Sequence, residues 1–348
     1  MCLLIKSYLS LREIYLYALS NSNRYKREAR LYKCERVSVV IPTRGRPQWV
    51  VCAVESALRQ SFAPFEVIVV VDGPDAETVR ALEAFEDERL QVIALDENVG
   101  GSEARNIGMY AARGEWIAFL DDDDWWIAEK LEKQMQVAAN VQARFPIVTS
   151  RLLARSPDNE RIFPRRLFKP GDTVGGYLFC RHSFTYGDGM LQTSTLLVKR
   201  DLLLEAPFLK GLKRHQDWDW LLKMGGRPDV EIAMLPEALT VMRVEGQGAS
   251  VSRTADWETS LAWAKQNRAL MSARAYAFFI STECVPRARK SGAGMYALLQ
   301  LFWECFSRGK PGLMQMALFV SFSAIPEKTR KRLRNRTMQA VTAMEHGS

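Results

Sequence analysis

The apolar run Trp116-Ile-Ala-Phe-Leu120 is followed directly by four aspartates, Asp121 to Asp124, and then by Trp125 and Trp126. A short continuous apolar run is typical of a buried strand, and the carboxyl ends of such strands are where open α/β sheets bind ligands. Four adjacent carboxylates repel one another unless a cation binds among them, and hard divalent cations prefer oxygen ligands. The stretch therefore predicts a buried strand that brings an Mn²⁺ or Mg²⁺ site to the ligand-binding edge of a sheet.

The spacing of the four aspartates predicts a different role for each of them. Side chains at i and i+2 of an extended segment point the same way, so Asp121 and Asp123 are expected to contact the same ligand. Asp122 then faces elsewhere, toward a sugar hydroxyl, and Asp124 is expected to cap the following helix. The alternative is a solvated acidic turn, but the position directly after a buried strand favours metal binding.

Apolar runs alternate with helical segments around this stretch. Such alternation predicts a parallel, doubly wound sheet, and strands that are apolar on both faces agree with it. The predicted strands are Val37–Ile41, Glu66–Val71, Leu90–Leu95 and Trp116–Leu120, and the predicted helices are Trp49–Gln60, Asp75–Glu86, Ser102–Ala112 and Ile127–Asn140. Beyond Pro146 the pattern weakens, and it predicts a strand at Gln192–Val198, a helix at Trp218–Met224, a strand at Glu231–Val244 and helices from Trp257 onward.

The composition is that of a globular protein, with 47% hydrophobic and 25% charged residues among 348. The six cysteines form no Cys-x-x-Cys pair and there are only three histidines, which disfavours a zinc site. Scattered cysteines indicate free thiols in a reducing cytoplasm. The formal net charge of +8 predicts an anionic partner: nucleic acid, an anionic membrane surface or a phosphate-bearing substrate.

Both ends of the chain contain basic clusters, Arg24–Arg36 and Lys328–Arg336. Charges interrupt Met1–Ser20, which therefore predicts an amphipathic helix rather than an export signal. Near the other end, Ala293–Phe306 and Gly312–Ile325 are strongly apolar, but each is shorter than the roughly 18 residues of a membrane span. They predict a helical hairpin that either packs on the core or lies in a membrane interface.

Two further motifs bring polar groups to the predicted binding edge. Asp72 ends the second strand, where a carboxylate commonly meets a base or ribose, although a turn residue before Gly73 is the alternative. In Asn98–Gly108, Arg105 is suited to pairing with phosphate or stacking on a base, with an exposed arginine at the sheet edge as the alternative.

The last motif is His215-Gln-Asp-Trp-Asp-Trp220. It places Asp217 and Asp219 on either side of Trp218 at a predicted helix start. Tryptophans shield a carboxylate from water and raise its pKa, which suits a general base. Helix capping beside core tryptophans explains these residues, taken alone, about as well.

Taken in order, these motifs resemble those of the family-two inverting glycosyltransferases with the GT-A fold. The resemblance extends over residues 36–250, and the ordered set is far more specific than any single motif. It implies an α/β fold with a Rossmann-like, mostly parallel sheet flanked by helices and followed by a helical C-terminal extension. The matching segments are Val37–Thr43, Glu66–Gly73, Asn98–Gly108, Gly114–Trp125 and Gln216–Asp219.

The resemblance implies a nucleotide-diphosphate sugar donor, with a UDP-sugar favoured, and Mn²⁺ or Mg²⁺ as cofactor. It makes Asp123 the metal ligand, with Asp121 beside it, and Asp217 the catalytic base that deprotonates an acceptor hydroxyl. Trp218 and Asp219 would orient the base and the acceptor. The residues that it assigns to nucleotide binding are Pro42, Thr43, Arg44, Asp72, Asn98, Arg105, Asp121 and Asp122.

The chain departs from the family's pattern at three places. Val71 stands where the family usually has the first of two aspartates, which weakens the nucleoside contact at Asp72. Gln216 stands where a glutamate commonly precedes the base. The stretch 243–250 lacks the histidine that many members have, so no histidine metal ligand is implied, and His182 and His215 are expected to be packed or surface residues.

Three regions are predicted: a helical extension over 1–35, a transferase domain over 36–250 and a helical region over 251–348. Within the domain, 36–126 would bind the nucleotide sugar and 127–250 the acceptor. The predicted protein is a hexosyltransferase of bacterial surface polysaccharide biosynthesis that acts on a saccharide or lipid-linked saccharide acceptor. The expected location is the cytoplasm, peripheral on the inner face of the plasma membrane, with an anionic membrane surface and no nucleic acid as partner.

Other functions explain parts of the pattern. A basic nucleic-acid-binding protein on a Rossmann-like scaffold would account for the net charge, but an acidic cluster at the ligand edge repels phosphate unless a metal is present. A sugar nucleotidyltransferase normally has a glycine- and lysine-rich loop after the first strand, where this chain has Thr43-Arg-Gly-Arg-Pro47. A degenerate transferase kept as an assembly partner is disfavoured, because all motif carboxylates except the one at Val71 are present.

Overall fold

A computed structural model describes residues 35–157, 159–184, 186–244, 255–325 and 329. The predicted N-terminal helix and the cluster Lys328–Arg336 therefore lie outside the described residues. The same is true of nearly all of Arg24–Arg36 and of residues 245–250, the stretch without the family's histidine.

The strands of the described chain are β1 (Val37–Thr43), β2 (Glu66–Val71), β3 (Leu90–Ala94), β4 (Trp116–Phe119), β5 (Asp124–Trp126), β6 (Phe145–Ser156), β7 (Asn159–Phe163), β8 (Leu197–Lys199) and β9 (Val230–Arg243). They form one sheet in the order β3-β2-β1-β4-β8-β6-β9-β5, with β7 paired to β6. The pairs among β1 to β4 are parallel, and so is β6 with β9. The pairs that contain β5, β7 or β8 are antiparallel.

Helices cover both faces of this sheet. The first group is α1 (Pro47–Leu58), α2 (Ala76–Glu83), α3 (Gly101–Ala111), α4 (Lys130–Ala138), α5 (Val174–Phe179), α6 (Arg200–Glu205) and α7 (Gln216–Met224). The C-terminal group is α8 (Trp257–Gln266), α9 (Ala273–Phe279), α10 (Val285–Lys290), α11 (Met295–Gly309) and α12 (Leu313–Ala324), with a π-helical turn at Ile280–Cys284 between α9 and α10. Within the described residues, no helix is long and apolar enough to cross a membrane.

Alternate residues of β1 belong to two different cores. Val39 packs in a cluster with Ala53 of α1, whereas Val40 packs in a cluster with Ala104 of α3 and Trp220 of α7. Because successive strand side chains point to opposite faces, a strand that is covered on both sides needs an uninterrupted apolar run. The second cluster also contains residues of α8, α9, α11 and α12, so the C-terminal helices share the core of the sheet.

The α/β architecture predicted for the first half is confirmed, including Asp75 as the N-cap of α2, where its side chain accepts a hydrogen bond from the Thr78 amide. The second half required corrections. The predicted strand at Gln192–Val198 is a 3₁₀ turn at Thr193–Thr195 followed by the short β8. β5, β6 and β7 were not predicted, since β6 contains Pro146 and pairs with β9 more than eighty residues away.

The expected helix cap at Asp124 is wrong. Asp124 is the first residue of β5, which pairs with β9 at Thr240–Met242, and the next helix begins only at Lys130 with Glu129 as its N-cap residue. The long-range pairing with β9 therefore overrides the local tendency of an aspartate to cap a helix.

Candidate active site

Three parallel strands deliver polar residues to one edge of the sheet. Thr43 ends β1, and its carbonyl oxygen accepts a hydrogen bond from the amide of Asp72, the residue after β2, at 2.9 Å. Asp121 follows β4, whose neighbour Leu120 donates to the Val40 carbonyl at 3.1 Å. The structure thus brings together the carboxyl ends of β1, β2 and β4, as the sequence predicted.

The two middle aspartates face the loop after β1. Asp122 is buried and accepts hydrogen bonds from Thr43 Oγ1 at 2.8 Å and from Arg46 Nη1 at 2.9 Å. The same Arg46 nitrogen lies 3.2 Å from Asp123 Oδ2. Arg46 is therefore the cation that offsets part of the negative charge of this cluster. Sequence reasoning missed it, although an arginine directly after β1 and before Pro47, the first residue of α1, would have indicated a cation at this edge.

The outer aspartates are bound on the other side, by the turn before β8. Asp124 accepts from Ser194 Oγ and from Gln192 Nε2, both at 2.6 Å. The Asp121 amide donates to Ser194 Oγ at 3.0 Å. Burial raises the pKa of Asp124, and the negative charges of Asp121 and Asp123 raise it further. No sequence signal identified Gln192 and Ser194, because their contacts with the aspartates span about seventy residues.

Asp123 is the carboxylate of the cluster that is best suited to a cation. Its pKa is raised to about 6, chiefly by burial and then by the charges of Asp121 and Asp122, with Arg46 opposing. The described residues contain no group of three or more His, Cys, Asp or Glu side chains that could hold a metal. Mg²⁺, however, usually binds through one or two carboxylates together with substrate phosphates. Asp123 and Asp121 fit a divalent cation of that kind.

Arg105 connects this cluster to α7. Its side chain is buried; Nη2 donates to Asp121 Oδ1 at 2.5 Å and Nη1 donates to Gln216 Oε1 at 3.0 Å. Its Nε has no hydrogen-bond partner among the described residues. Two glycines position the helix that bears Arg105. Gly100 has a positive φ of 88° at the N-cap of α3, and Gly108 lets α3 approach β1 where any Cβ would clash with Val40.

Asp217 is partly buried in the first turn of α7, immediately after Gln216. Its Oδ1 accepts from the Trp218 amide at 2.9 Å. Burial raises the pKa of Asp217 to about 6; the charge of Asp121 also raises it, while Arg105 and the Trp218 amide lower it. The carboxylate is therefore more basic than an ordinary aspartate and is still ionised at neutral pH.

His215 fixes the start of α7. It adopts a left-handed conformation with φ 58°, and its ring stacks on Trp218 with centroids 4.9 Å apart. Its Nε2 lies 3.0 Å from Ser260 Oγ of α8. Burial, together with the positive charges of Arg287 and Arg214, lowers the pKa of His215 to about 3. The ring is thus neutral and packed, and its contacts hold the residues next to Asp217 against the C-terminal helices.

Asp219 does not face the aspartate edge. It is buried, and its Oδ1 accepts from Trp263 Nε1 at 3.0 Å and from Asn267 Nδ2 at 3.2 Å. Its Oδ2 pairs with Lys223 Nζ at 2.6 Å. Asp219 thus fastens α7 to α8 through Oδ1, while Oδ2 pairs within α7. Its predicted role in orienting the base and the acceptor stays a prediction. Trp218 is partly exposed beside Asp217 and packs on Phe179.

Asp72 organises the loop that leads into α3. Its carboxylate accepts from Asn98 Nδ2 at 2.6 Å, from the Val99 amide at 2.7 Å and from the Gly100 amide at 3.0 Å. Asp72 and Asn98 are therefore brought together, and their predicted nucleoside contacts stay predictions. Of the two remaining predicted residues, Pro42 lies within β1 and Arg44 is exposed directly after it.

Comparison with known proteins finds glycosyltransferases that are similar to this chain. A model described as Glycosyl transferase family 2 matches residues 38–203. TuaG of Bacillus subtilis, assigned to teichuronic acid biosynthesis, is 29% identical over 197 residues, which are 54% of this chain and 73% of TuaG. WfgD of Escherichia coli is named UDP-Glc:α-D-GlcNAc-diphosphoundecaprenol β-1,3-glucosyltransferase. It is 34% identical over 101 residues, which are 29% of this chain and 40% of WfgD.

The solved structure of residues 1–349 of S. aureus TarS has a similar fold. The TM-score is 0.53 with 19% sequence identity, and the match covers 85% of this chain and 91% of that one. Residues 38–203 therefore match the glycosyl transferase family 2 model, and the chain has the GT-A fold.

Proposed function

We propose that this protein transfers a hexose from a nucleotide-diphosphate sugar to an acceptor hydroxyl with inversion at the anomeric carbon, and that Asp217 is the general base. The observation that supports this most strongly is the Arg105 side chain, which joins Asp121 at the sheet edge to Gln216, the residue before Asp217. This contact brings a carboxylate of raised pKa beside the edge where the donor would bind.

In the proposed step the acceptor oxygen attacks the anomeric carbon from the side opposite the diphosphate. The bond between that carbon and the diphosphate oxygen breaks as the new bond forms, and its electron pair leaves with the nucleoside diphosphate. Asp217 takes the proton of the acceptor hydroxyl. A base is most effective when its pKa lies near the operating pH, and a pKa of about 6 meets that condition better than an ordinary aspartate does.

Positive charge at the sheet edge would hold the diphosphate. Asp123 and Asp121 would hold Mn²⁺ or Mg²⁺, which when bound neutralises the charge of the departing diphosphate. Arg46, in contact with Asp122 and Asp123, adds a cation at the same edge. The nucleoside would lie over the carboxyl ends of β1 and β2, in contact with residues of the predicted set Pro42, Thr43, Arg44, Asp72 and Asn98.

The names of two relatives support a finer choice of substrates. WfgD is named for transfer from UDP-glucose to a diphosphoundecaprenol-linked sugar, and TuaG is assigned to teichuronic acid biosynthesis. The donor proposed here is accordingly a UDP-sugar and the acceptor a saccharide or lipid-linked saccharide of bacterial surface polysaccharide biosynthesis. A thermal-shift panel of nucleoside diphosphates with Mn²⁺ tests the donor, because stabilisation by UDP alone would support it and stabilisation by another base alone would refute it.

Asp123→Ala should weaken UDP binding in the presence of Mg²⁺ by at least about tenfold, or about 1.4 kcal/mol. The physical reason is that the variant lacks the carboxylate that would hold the cation against the diphosphate. Calorimetric titration measures this, and EDTA should weaken binding to the wild type by a similar factor while leaving the variant unchanged. Asp201→Ala, at an exposed aspartate of α6, is the matched control. Tight UDP binding that ignores both EDTA and Asp123→Ala would refute the metal role.

The rate of transfer should fall as the pH drops below about 6, the pKa to which burial raises the Asp217 carboxyl. Only the ionised carboxylate accepts a proton, so kcat/KM should decrease about tenfold per pH unit on the acid side. The pH profile of kcat/KM, with circular dichroism to show that the protein stays folded, measures this. A profile that stays flat down to the ordinary aspartate value of 3.8 would mean that another group is the base.

A further inference from the structure

The second half of the sheet forms an open cleft. Its volume is about 630 Å³, which lies within the range of small-molecule binding sites. One aromatic ring and several polar side chains from β5, β6, β7, β9 and the turn between β6 and β7 line it, among them Trp125, Arg155, Ser156, Asn159, Glu160 and Arg243. We call it the Trp125 cleft. The sequence motifs assign no function to these residues.

The alternation of side chains along β5 turns Trp125 toward this cleft. Its neighbour Trp126 is 4% exposed and packs in the core that includes α1. Because successive side chains of a strand point to opposite faces, Trp125 points the other way; it is only partly buried and belongs to neither core cluster. The strand therefore holds one tryptophan ring in the core and the other at the wall of the cleft.

Two tryptophans and three arginines form a continuous stack between the aspartate cluster and the cleft. Arg46, the arginine bound to the aspartates, lies 5.0 Å from the centroid of the Trp49 ring. Arg243 lies 5.3 Å from the Trp49 ring and 5.5 Å from the Trp125 ring. Arg155 lies 5.6 Å from the Trp125 ring. Each distance is within the range of a cation–π contact, so the stack fixes Trp125 relative to the aspartates.

Arg155 presents polar groups to the cleft. Its Nε donates to Glu160 Oε1 at 2.5 Å, and the two side chains are 47% and 52% exposed. Within the part of the chain that the structure describes, the two terminal nitrogens of Arg155 donate no hydrogen bond. A guanidinium group can bind a carboxylate or a phosphate through two parallel hydrogen bonds. An exposed ion pair contributes little to stability, so an anionic ligand can compete with Glu160 for this arginine.

A tryptophan ring with polar side chains around it suits a sugar. One face of a pyranose presents C–H groups, which can pack on an indole ring. The hydroxyl groups of the sugar can then bond to the polar side chains of the rim, such as Ser156, Asn159 and Glu160. With Arg155 beside the ring, the cleft fits a saccharide unit that carries an acid group.

We propose that the Trp125 cleft binds an anionic saccharide unit of the acceptor, with the sugar ring on Trp125 and its carboxylate or phosphate on Arg155. The other lining residues lie outside β1, β2 and β4, whose ends would hold the donor, which favours the acceptor as occupant. Trp125 follows Asp123 by two residues, a span of at most about 7 Å, so the cleft adjoins the proposed donor site. The inference rests on the proposed function, since it specifies the acceptor class, but the binding can be tested without transfer.

Ligand-observed NMR titration of the full chain with three sugars tests the proposal: methyl β-D-glucuronide, glucose 6-phosphate and the uncharged methyl β-D-glucoside. The wild type should bind an anionic sugar about fivefold more tightly than the glucoside, as one exposed ion pair allows, and salt should reduce this preference. The tighter of the two anionic sugars identifies the acid group as carboxylate or phosphate. Arg155→Gln should remove the preference, whereas Trp125→Leu should weaken the binding of all three sugars.

Two control variants repeat these changes elsewhere. Arg144 is also an exposed arginine that pairs with a glutamate and lies over an aromatic ring, that of Phe145 at 4.4 Å, so Arg144→Gln matches Arg155→Gln. Trp303→Leu alters a tryptophan of α11 that is 72% exposed. Both controls should bind the sugars like the wild type. All four variants should bind UDP like the wild type, and thermal unfolding should verify that they are folded.

The proposal is overturned if the wild type binds none of the sugars, or binds the glucoside as tightly as both anionic sugars. It is also overturned if Arg155→Gln keeps the preference, or if it weakens UDP binding, which would assign the cleft to the donor. Inorganic phosphate that binds as tightly as glucose 6-phosphate would likewise contradict a saccharide site. A protein that binds the sugars as expected but transfers none would refute the proposed function while the saccharide site stands.

Discussion

Asp217→Asn is expected to lower the rate of sugar transfer by about 10³-fold while UDP binding stays within about twofold of the wild type. In the wild type, Asp217 Oδ1 accepts a hydrogen bond from the Trp218 amide at 2.9 Å. Asparagine keeps the shape of the side chain, and its amide oxygen can still accept this hydrogen bond. It cannot take a proton from the acceptor. The loss should therefore appear in the chemical step, and single-turnover kinetics together with titration of UDP separate that step from binding.

The control for this prediction is an aspartate outside the site. Asp201→Asn, at an exposed position of α6, should leave both transfer and UDP binding unchanged. Full transfer activity in Asp217→Asn would contradict the assignment of the base. An equal loss of UDP binding would instead indicate that Asp217 acts on the donor side.

The site residues that directly follow a strand could be predicted from the sequence, because apolar runs mark the strands. Four carboxylates after a buried strand indicated the edge of the sheet, and the structure brings Asp122 into contact with Thr43, whose carbonyl accepts from the Asp72 amide there. The resemblance to the family, rather than spacing, led to Asp217. Arg105 joins the aspartate cluster to α7 through its contacts with Asp121 and Gln216. This contact could not be predicted, because Arg105 and Gln216 are 111 residues apart and local sequence patterns carry no information about contacts over such a separation.

Asp219→Ala is expected to lower the free energy of unfolding by about 3 kcal/mol, since it leaves two buried donors without an acceptor, each at a cost of about 1–3 kcal/mol. Those donors are Trp263 Nε1 and Asn267 Nδ2, both bound to Asp219 Oδ1. The change should also loosen α8 from α7 and slow transfer, because Asp217 lies in the first turn of α7. Chemical denaturation followed by circular dichroism measures the stability.

Two companion variants separate the buried hydrogen bonds from the ion pair. Asp219→Asn keeps an acceptor for Trp263 and should cost less than alanine does. Lys223→Ala removes only the partner of Asp219 Oδ2; because that lysine side chain is 43% exposed, the loss should stay below about 1 kcal/mol. Equal losses for Asp219→Ala and Lys223→Ala would contradict the claim that Asp219 fastens the C-terminal helices through its buried oxygen.

The fold of the second half illustrates the limit of local patterns. β1, β2 and β4 are buried on both faces, so their uninterrupted apolar runs identified them. β5 is a three-residue strand that contains an aspartate and two tryptophans, and only its pairing with β9 makes it a strand. β6 contains Pro146, which is unusual in the middle of a sheet, and there the long pairing with β9 outweighed the local signal.

The stereochemistry of the released sugar distinguishes inversion from retention at the anomeric carbon. When an α-linked UDP-hexose is incubated with the protein and Mg²⁺ without acceptor, water should replace the acceptor slowly, and proton NMR reports the anomer that forms first. Attack opposite the diphosphate, with Asp217 as base, predicts that the β-anomer appears first and then equilibrates, and that Asp217→Asn suppresses the signal. Initial release of the α-anomer would mean retention of configuration and would contradict the mechanism proposed for this site.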